Sequence, residues 1–186
     1  MFCQTLSRRL VLLQFCLLPA LTIALLSGMR VIALGEELPA EARDVLDRFV
    51  GKWDTEITMR RPGPPAEEKH TVGRGLCTVM LEGRYYEFRT STIPPGDSEL
   101  QVMTYDAEAK VFKQWVFASD GYSHAADGTW DPATNTLRWS GKAGANTFVI
   151  DDRFAAPDRL EWTLTRTDAA GQAAQTITGV LRRVAE

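Results

Sequence analysis

Residues 51–61 read Gly-Lys-Trp-Asp-Thr-Glu-Ile-Thr-Met-Arg-Arg, and this stretch decides the fold. Two sets of side chains alternate strictly along it: Trp53, Thr55, Ile57 and Met59 against Asp54, Glu56, Thr58 and Arg60. A repeat of two residues predicts a β-strand with one buried face. The turn-forming sequence Pro-Gly-Pro-Pro at 62–65 then stops the strand.

The same pattern continues to the end of the chain, with turn residues recurring at intervals of about ten residues. Further strands are predicted at 69–80, 84–92, 100–105, 111–119, 122–130, 136–142, 147–154, 159–167 and 174–184. The sequence therefore predicts an all-β fold with about ten strands joined by short turns.

These short connections decide how the strands pair. Consecutive strands form antiparallel hairpins, because parallel neighbours need long crossovers. An open sheet leaves two unpaired edges, whereas an up-and-down barrel leaves none, and the regular spacing favours this barrel over a Greek-key sandwich. Gly73 and Gly75 fit positions where a barrel strand bends sharply or a neighbouring backbone comes close.

A short N-terminal helix is predicted before the strands, at about 39–49. Ala42, Val45, Leu46 and Phe49 repeat there at helical spacing. One short amphipathic helix has to lie on something else, so we expect its apolar face to cover a mouth of the barrel.

Residues 1–35 have a different composition from the rest of the chain. Arg8 and Arg9 precede an apolar run over 10–26. This is the layout of an export signal, so we predict a signal peptide over 1–35 and a barrel domain over 36–186. The paired arginines also resemble the twin-arginine export pattern. We expect an exported protein, periplasmic or secreted, without an integral membrane domain after signal removal; the alternative is a retained membrane anchor.

The charge indicates which partners the protein is not expected to bind, and the cysteine content indicates how the domain is stabilised. Lys and Arg number 21 against 24 Asp and Glu, which gives a net charge of −3. This balance argues against a nucleic acid or an anionic membrane surface as partner. Once a signal containing Cys3 and Cys16 is removed, Cys77 has no partner for an internal disulfide. The domain must then depend on its core.

Several short motifs together resemble a known family. They are Phe49-Val50-Gly51-Lys52-Trp53, Leu81-Glu82-Gly83-Arg84-Tyr85-Tyr86, Thr104-Tyr105-Asp106, Trp115-Val116-Phe117, Gly128-Thr129-Trp130-Asp131 and a basic residue on the final strand. In order and spacing they resemble an uncharacterised family of bacterial calycin-like, or lipocalin-like, barrels over nearly all of the chain after Leu38. The resemblance implies a closed antiparallel barrel whose role is not established.

The resemblance also implies a device that closes the barrel. In calycins a tryptophan of a Gly-x-Trp sequence on the first strand lies under an arginine of the last strand. Trp53 matches the tryptophan, and Arg182 or Arg183 matches the arginine. We favour Arg183, because it shares a face with Ile177 and Leu181. We expect this pair to join the first strand to the last rather than to clamp a ligand.

The titratable residues form no recognisable catalytic or metal motif. The chain has two histidines, His70 and His124, without a second ligand at metal spacing. The resemblance leaves haem as a possible cofactor, with His124 preferred over His70 as axial ligand; the alternative is a solvated strand histidine. We interpret Cys77 as a buried inert thiol, and Asp151 and Asp152 lie on opposite faces of one strand. The sequence therefore predicts no catalytic residues and no metal site.

Aromatic residues are the remaining candidates for function. Alternate residues of each strand must face the interior, where they fill the core or line a cavity for one small ligand. We predict a ligand-binding wall formed by Tyr86, Phe88, Met103, Tyr105, Trp115 and Phe117, with Arg89 as polar anchor. The opposite face of the fifth strand carries Phe112, Gln114 and Val116, so its orientation stays open.

Three classes of function remain, in decreasing order of preference. The first is an exported barrel that binds a small apolar or amphipathic molecule in its interior. The second is an enzyme of the isomerase or hydrolase type, which needs a titratable group with a displaced pKa in that cavity. The third is a non-catalytic envelope interaction protein with a filled core, which needs an exposed apolar patch.

Overall fold

The computed structural model describes residues 37–62 and 67–185. Within them lie helix α1 (Ala40–Asp47) and strands β1 (Gly51–Arg61), β2 (Glu67–Met80), β3 (Tyr85–Ile93), β4 (Ser98–Asp106), β5 (Val111–Ala118), β6 (Ser123–Asp131), β7 (Thr136–Ala143), β8 (Asn146–Ala156), β9 (Arg159–Thr167) and β10 (Ala173–Arg183). The predicted signal peptide over 1–35 lies outside the described residues. The described part of the chain holds no helix long and apolar enough to cross a membrane.

The strands form one closed barrel in which each strand pairs antiparallel with its neighbours in the sequence. The first and last strands complete the ring, with Trp53 opposite Arg183 and Thr55 opposite Leu181. Closure removes both sheet edges, which would otherwise present unpaired backbone groups. The prediction of a single antiparallel up-and-down barrel of about ten strands is confirmed.

The alternation read from the sequence decides which side chains enter the core. On β1, Trp53 and Thr55 are buried while Asp54 and Glu56 are exposed. Helix α1 contributes the buried side chains of Ala42, Val45 and Leu46 to the same core. The expected apolar face of the helix is therefore the face that packs on the barrel.

Gly75 of β2 lies inside the barrel against the ring of Phe88 on β3. A Cβ atom at position 75 would lie 2.5 Å from a ring carbon of Phe88, closer than real contacts allow. The absence of a side chain at this position lets the aromatic ring cross the strand. The close approach at Gly75 thus comes from a side chain, whereas at Gly73 the neighbouring backbone comes close as expected, since a Cβ atom there would clash with the carbonyl oxygen of Ser91.

Candidate ligand site in the barrel interior

The interior has two chemically different ends. The closed end is where β1 begins and β10 ends, beside helix α1. The polar end is the opposite one, where β4, β6 and β10 begin and where β5 and β9 end. Each end is described by the side chains that point into it.

The closed end is sealed by Trp53 and Arg183. The Trp53 indole is 1% exposed, and its Nε1 donates to the carbonyl oxygen of Phe49 at 2.7 Å. The guanidinium carbon of Arg183 lies 4.2 Å from the centroid of the Trp53 ring. Arg183 also donates to the backbone oxygens of Arg48, at 2.8 Å, and Val50. These contacts tie the last strand to the first strand and to the segment that follows α1.

Further contacts hold the helix against the closed end. The hydroxyl group of Tyr86 donates to Oδ1 of Asp47 at 2.6 Å. The Phe49 ring meets the Phe154 ring edge to face, with the centroids 4.9 Å apart. Because the Trp53, Arg183 and Tyr86 polar groups have partners and the apolar rings pack on each other, the closed end has the character of a core.

The polar end is defined by side chains that point inward and carry hydrogen-bonding groups. These are Glu99 and Gln101 of β4, Gln114 of β5, Tyr122 just before β6, His124 of β6, Arg166 of β9 and Gln175 of β10. Strand pairing places Gln114, Arg166 and Gln175 along one row of neighbours around the barrel, through Ala126, Gly141 and Phe148. Residues far apart in sequence thus meet at one end.

Three of these side chains form a hydrogen-bonded chain across β4 and β5. Gln114 donates to Oε1 of Gln101 at 3.1 Å, and Gln101 donates to Oε1 of Glu99 at 2.8 Å. Burial raises the pKa of the Glu99 carboxyl. Gln114 is 2% exposed, and its own Oε1 has no hydrogen-bond partner. The chain therefore ends on an unpaired acceptor inside the barrel.

His124 lies on β6, the strand next to β5, where it pairs with Val116. Its ring lies 4.5 Å from that of Phe148 and 5.4 Å from that of Tyr122, between centroids. Neither ring nitrogen of His124 has a hydrogen-bond partner, although both are buried. Burial, together with the nearby Arg166 charge, lowers the pKa of His124 to about 4. The ring is therefore neutral at pH 7 and offers one donor and one acceptor.

Arg166 completes the polar end. Its guanidinium carbon lies 4.7 Å from the centroid of the Tyr122 ring, and Nη1 donates to Oε1 of Gln175 at 3.1 Å. Nε of Arg166 and the hydroxyl oxygen of Tyr122 are buried without a partner. The guanidinium is held in place by stacking on Tyr122 and by the hydrogen bond to Gln175, while its Nε–H group donates to no acceptor in the described part of the chain.

These unpaired groups concentrate at the polar end. Among the described residues, the buried side-chain nitrogen and oxygen atoms without a partner all belong to it except Nε of Arg43. A buried polar group without a hydrogen bond costs about 1–3 kcal/mol, so native proteins keep few of them. Such a cluster at one end of a barrel is typical of a binding site rather than of a core.

The predicted ligand-binding wall is divided by the structure. Phe88 and Met103 are buried inside the barrel beside the polar end, where Phe88 pairs with Gln101 and Met103 with Gln114. Tyr86 belongs to the closed end. Tyr105 is half-buried and packs edge to face on Phe112, with the centroids 5.0 Å apart.

The predicted inward orientation of Trp115, Phe117 and Arg89 is wrong. Trp115 is 37% exposed and Phe117 50% exposed, and Arg89 lies on the outer face in an ion pair with Glu87. The opposite orientation of β5 would carry the charged side chain of Lys113 into the interior, at a desolvation cost.

In the observed orientation Lys113 lies outside, 2.8 Å from Oδ1 of Asp127. Phe112, Gln114 and Val116 are the buried face of this strand. The charge of Lys113 thus indicates the orientation of β5, which the aromatic residues do not decide because they occur on both of its faces.

Two of the misplaced residues help to line a groove on the outer face. The groove has a volume of about 840 Å³, and its wall includes Leu76, Arg89, Leu100 and Phe117. Strand pairing places these four side chains in one row across β2, β3, β4 and β5. The groove is an exposed, partly apolar surface outside the barrel.

The interpretation of His124 as a solvated histidine is wrong, because its ring nitrogens are buried. His70 is the exposed histidine, with hydrogen bonds to Thr58 at 2.9 Å and to Glu68 at 2.8 Å. Cys77 is buried, and burial raises the pKa of its thiol to about 12. Such a thiol is protonated and inert at neutral pH.

Asp151 and Asp152 lie on opposite faces of β8, as their adjacent positions predict. Asp151 binds Arg138 outside with two hydrogen bonds, of 2.6 and 2.9 Å. Asp152 faces inward and accepts from Nε1 of Trp139 at 2.8 Å. Burial raises the pKa of Asp152 to about 7. The described residues contain no cluster of three or more His, Cys, Asp or Glu that could hold a metal ion.

The sequence contained a signal for the residues that were missed. Three of them lie on the same face of their strand as a buried apolar residue. The pairs are Gln101 with Met103 on β4, Gln114 with Phe112 on β5, and Arg166 with Leu164 on β9. Polar residues in the buried phase of a strand are the exception that indicates function. Reading each strand for such exceptions would have found them without a structure.

The closed, ten-stranded antiparallel barrel is a calycin-like fold. A family of proteins of unknown function, DUF1579, matches residues 38–183, and the chain belongs to this family. The resemblance to an uncharacterised family of such barrels is thereby confirmed. No curated protein shows significant sequence similarity to the chain.

Two solved structures share the fold at low sequence identity. The S-type phycobiliprotein lyase CPES from Guillardia theta has a TM-score of 0.56 at 12% identity, covering 77% of this chain and 92% of the lyase. Rv2717c from M. tuberculosis has a TM-score of 0.58 at 12% identity, covering 80% of this chain and 100% of its own. At this identity the similarity concerns the fold alone.

Proposed function

We propose that this protein binds a small amphipathic molecule inside the polar end of its barrel. The observation that carries the proposal is the set of buried, unpartnered groups on Gln114, Tyr122, His124 and Arg166. A ligand with hydrogen-bonding groups would satisfy them and so remove the cost of leaving them unpaired.

The apolar part of the ligand would contact the buried side chains next to these groups. Phe88, Met103 and Val116 border the glutamine side of the polar end, and Phe148 borders His124. A mostly apolar wall with a few converging polar groups is the usual composition of a small-molecule site. A barrel of this strand number is wide enough to hold one small ligand.

We propose further that the protein works outside the cytoplasm, because residues 1–35 carry the layout of an export signal. Fractionation of the native host, with sequencing of the mature N-terminus, tests this. A periplasmic or secreted chain that begins near residue 36 is expected. A cytoplasmic chain that retains residue 1 would contradict it.

A titration of intrinsic tryptophan fluorescence tests ligand binding. Dodecanoate, a retinoid and haemin are the probes, and at least one should give a saturable change, because Trp139 and Trp162 point into the interior. His124→Phe removes polar groups of the site and should weaken that binding at least about tenfold.

His70→Gln is the matched control, because this histidine is exposed on the outside. It should bind each probe as the unmodified protein does. Loss of haemin binding alone in His124→Phe would support the prediction of His124 as a haem ligand. No saturable change with any probe, together with no small molecule bound to the protein from its own host, would contradict the proposal.

A second candidate function is docking of another envelope protein on the outer groove, where Leu76 and Phe117 are 44% and 50% exposed. Phe117→Ser separates the two functions, because it changes the groove and leaves the polar end intact. Under the proposed function this variant keeps full affinity for the small molecule. Loss of a co-purifying protein with unchanged ligand binding would support the docking function instead.

A further inference from the structure

We infer that the molecule bound at the polar end carries an anionic group that pairs with Arg166, an inference that rests on the proposed function. The side chain of Arg166 lies on the same face of β9 as the buried residues Leu160 and Leu164. It therefore points into the barrel, and the ligand is its available partner there.

Arg166 is a half-buried cation without a counter-charge. Among the described residues, no carboxylate oxygen lies within ion-pair distance of its guanidinium, which rests on Tyr122 and Gln175. Charged side chains taken out of water are normally paired, because desolvation of an unpaired ion is costly. An anionic group on the ligand would supply the missing charge.

Three arginines on the outer face of the same barrel, by contrast, have acidic partners on neighbouring strands. Arg138 lies 2.6 Å from Oδ1 of Asp151, and Arg182 lies 2.8 Å from Oε1 of Glu56. Arg153 is paired with Glu161 in the same way. On the outer face, where water already solvates the charge, these arginines thus have acidic partners on neighbouring strands. Arg166, whose charge is partly desolvated, has none among the described residues.

The neighbours of Arg166 favour an acceptor as well. The hydroxyl group of Tyr122 and the protonated ring nitrogen of His124 are donors without a partner. The unpaired Oε1 of Gln114, on β5, is an acceptor and requires a donor. These groups favour a ligand with an apolar body that carries two polar groups. One is an anionic group that binds Arg166, and the other is a hydroxyl or N–H group that donates to Gln114.

A series of probes with the same alkyl chain tests this charge preference. Dodecanoate, dodecyl phosphate, dodecanol and dodecylamine are titrated against the unmodified protein by fluorescence and calorimetry. Both anions should bind at least about tenfold more tightly than dodecanol, and the amine more weakly still, because charge-assisted hydrogen bonds exceed neutral ones. Comparison of the two anions distinguishes a carboxylate from a phosphate.

Two arginine variants locate the preference. Arg166→Gln should reduce affinity for the anions at least about tenfold and leave affinity for dodecanol within about twofold. Arg89→Gln is the matched control, because Arg89 lies on the outer face, and it should change neither affinity. If Arg166→Gln does not fold, the selectivity of the unmodified protein for the anions over dodecanol still tests the preference for an anionic ligand.

The possible failures are distinguishable. If dodecanol binds as tightly as the anions, or if Arg166→Gln keeps the anion preference, the inference is overturned and the proposed function stands. If none of the alkyl probes binds and the protein from its own host carries no small molecule, the proposed function fails as well.

Discussion

The closed end and the polar end of the barrel are built from the same strands, yet they differ in how completely their polar groups are satisfied. At the closed end the Trp53 indole, the Tyr86 hydroxyl and the Arg183 guanidinium all have partners. At the polar end, groups of Gln114 and His124 have none. The comparison indicates that the closed end contributes stability, whereas the polar end gives up stability, which under the proposed function serves ligand binding.

The largest expected effect is at the closed end. Trp53→Ala should lower the free energy of unfolding by about 3–5 kcal/mol, because it removes a buried indole and leaves a cavity. Trp115→Ala, on the outer face, should lower it by less than about 1 kcal/mol. Chemical denaturation of both variants measures this. Equal losses would show that Trp53 does not join the ends of the sheet.

The next effect concerns Asp152, which lies between the two ends. Its pKa is raised from 3.8 to about 7, so between these values the folded protein binds more protons than the unfolded chain. Stability is therefore lost as pH rises through this range. Asp152→Asn should raise the free energy of unfolding by about 2–4 kcal/mol at pH about 8 and by little at pH about 4.

Thermal unfolding at several pH values tests the Asp152 prediction. Asp151→Asn is the control, because Asp151 is paired with Arg138 at the surface and contributes about 0–1 kcal/mol. A stability gain that does not depend on pH would show that the Asp152 carboxyl is not titrating in the folded protein.

The polar end should respond in the opposite sense to the closed end. His124→Phe should stabilise the ligand-free, refolded protein by about 1–2 kcal/mol at neutral pH, because both ring nitrogens lack partners. The pKa of His124 falls from 6.5 to about 4 on folding, so the unfolded chain binds more protons in this range. Stability is then lost as pH falls, and the gain from His124→Phe should grow toward pH about 4.

Denaturation of the ligand-free protein at neutral and acid pH measures the His124 effect. His70→Phe is the matched control at an exposed position and should leave stability nearly unchanged. A marked loss of stability in His124→Phe would mean that the His124 nitrogens have partners in solution, and the contrast between the two ends would disappear.

The smallest expected effect comes from Tyr86→Phe. It removes the hydrogen bond between the Tyr86 hydroxyl and Asp47, which should lower the free energy of unfolding by about 0.5–1.5 kcal/mol. Ligand affinity should stay the same, because Tyr86 belongs to the closed end. A change in affinity without a change in stability would assign Tyr86 to the binding site after all.

The fold could be read from the sequence because it depends on periodicity and turn chemistry, which are local. The alternation on β1 and the short turns predict antiparallel neighbours, and the cost of open edges predicts closure. The pairing of Trp53 with Arg183 followed from the resemblance, and the structure places the two side chains in contact.

The site could be predicted only in part, because it depends on the phase of each strand. Aromatic residues occur on both faces of β5, so aromatic content did not distinguish inside from outside, and Trp115 and Phe117 were placed wrongly. Charged and amide groups are better markers of orientation, since their burial needs a reason. Tyr122 and Arg166 are 44 positions apart in sequence, and only the closed barrel brings them together.

The measurement that tests ligand binding most directly is native mass spectrometry of the unmodified protein and His124→Phe, purified in parallel from the native host without detergent. We predict an additional small-molecule mass on the unmodified protein, released on denaturation, and its loss or marked reduction in His124→Phe. The proposal of a ligand site at the polar end would be contradicted by two results together. Neither protein would carry an additional mass, and no probe would bind to the unmodified protein.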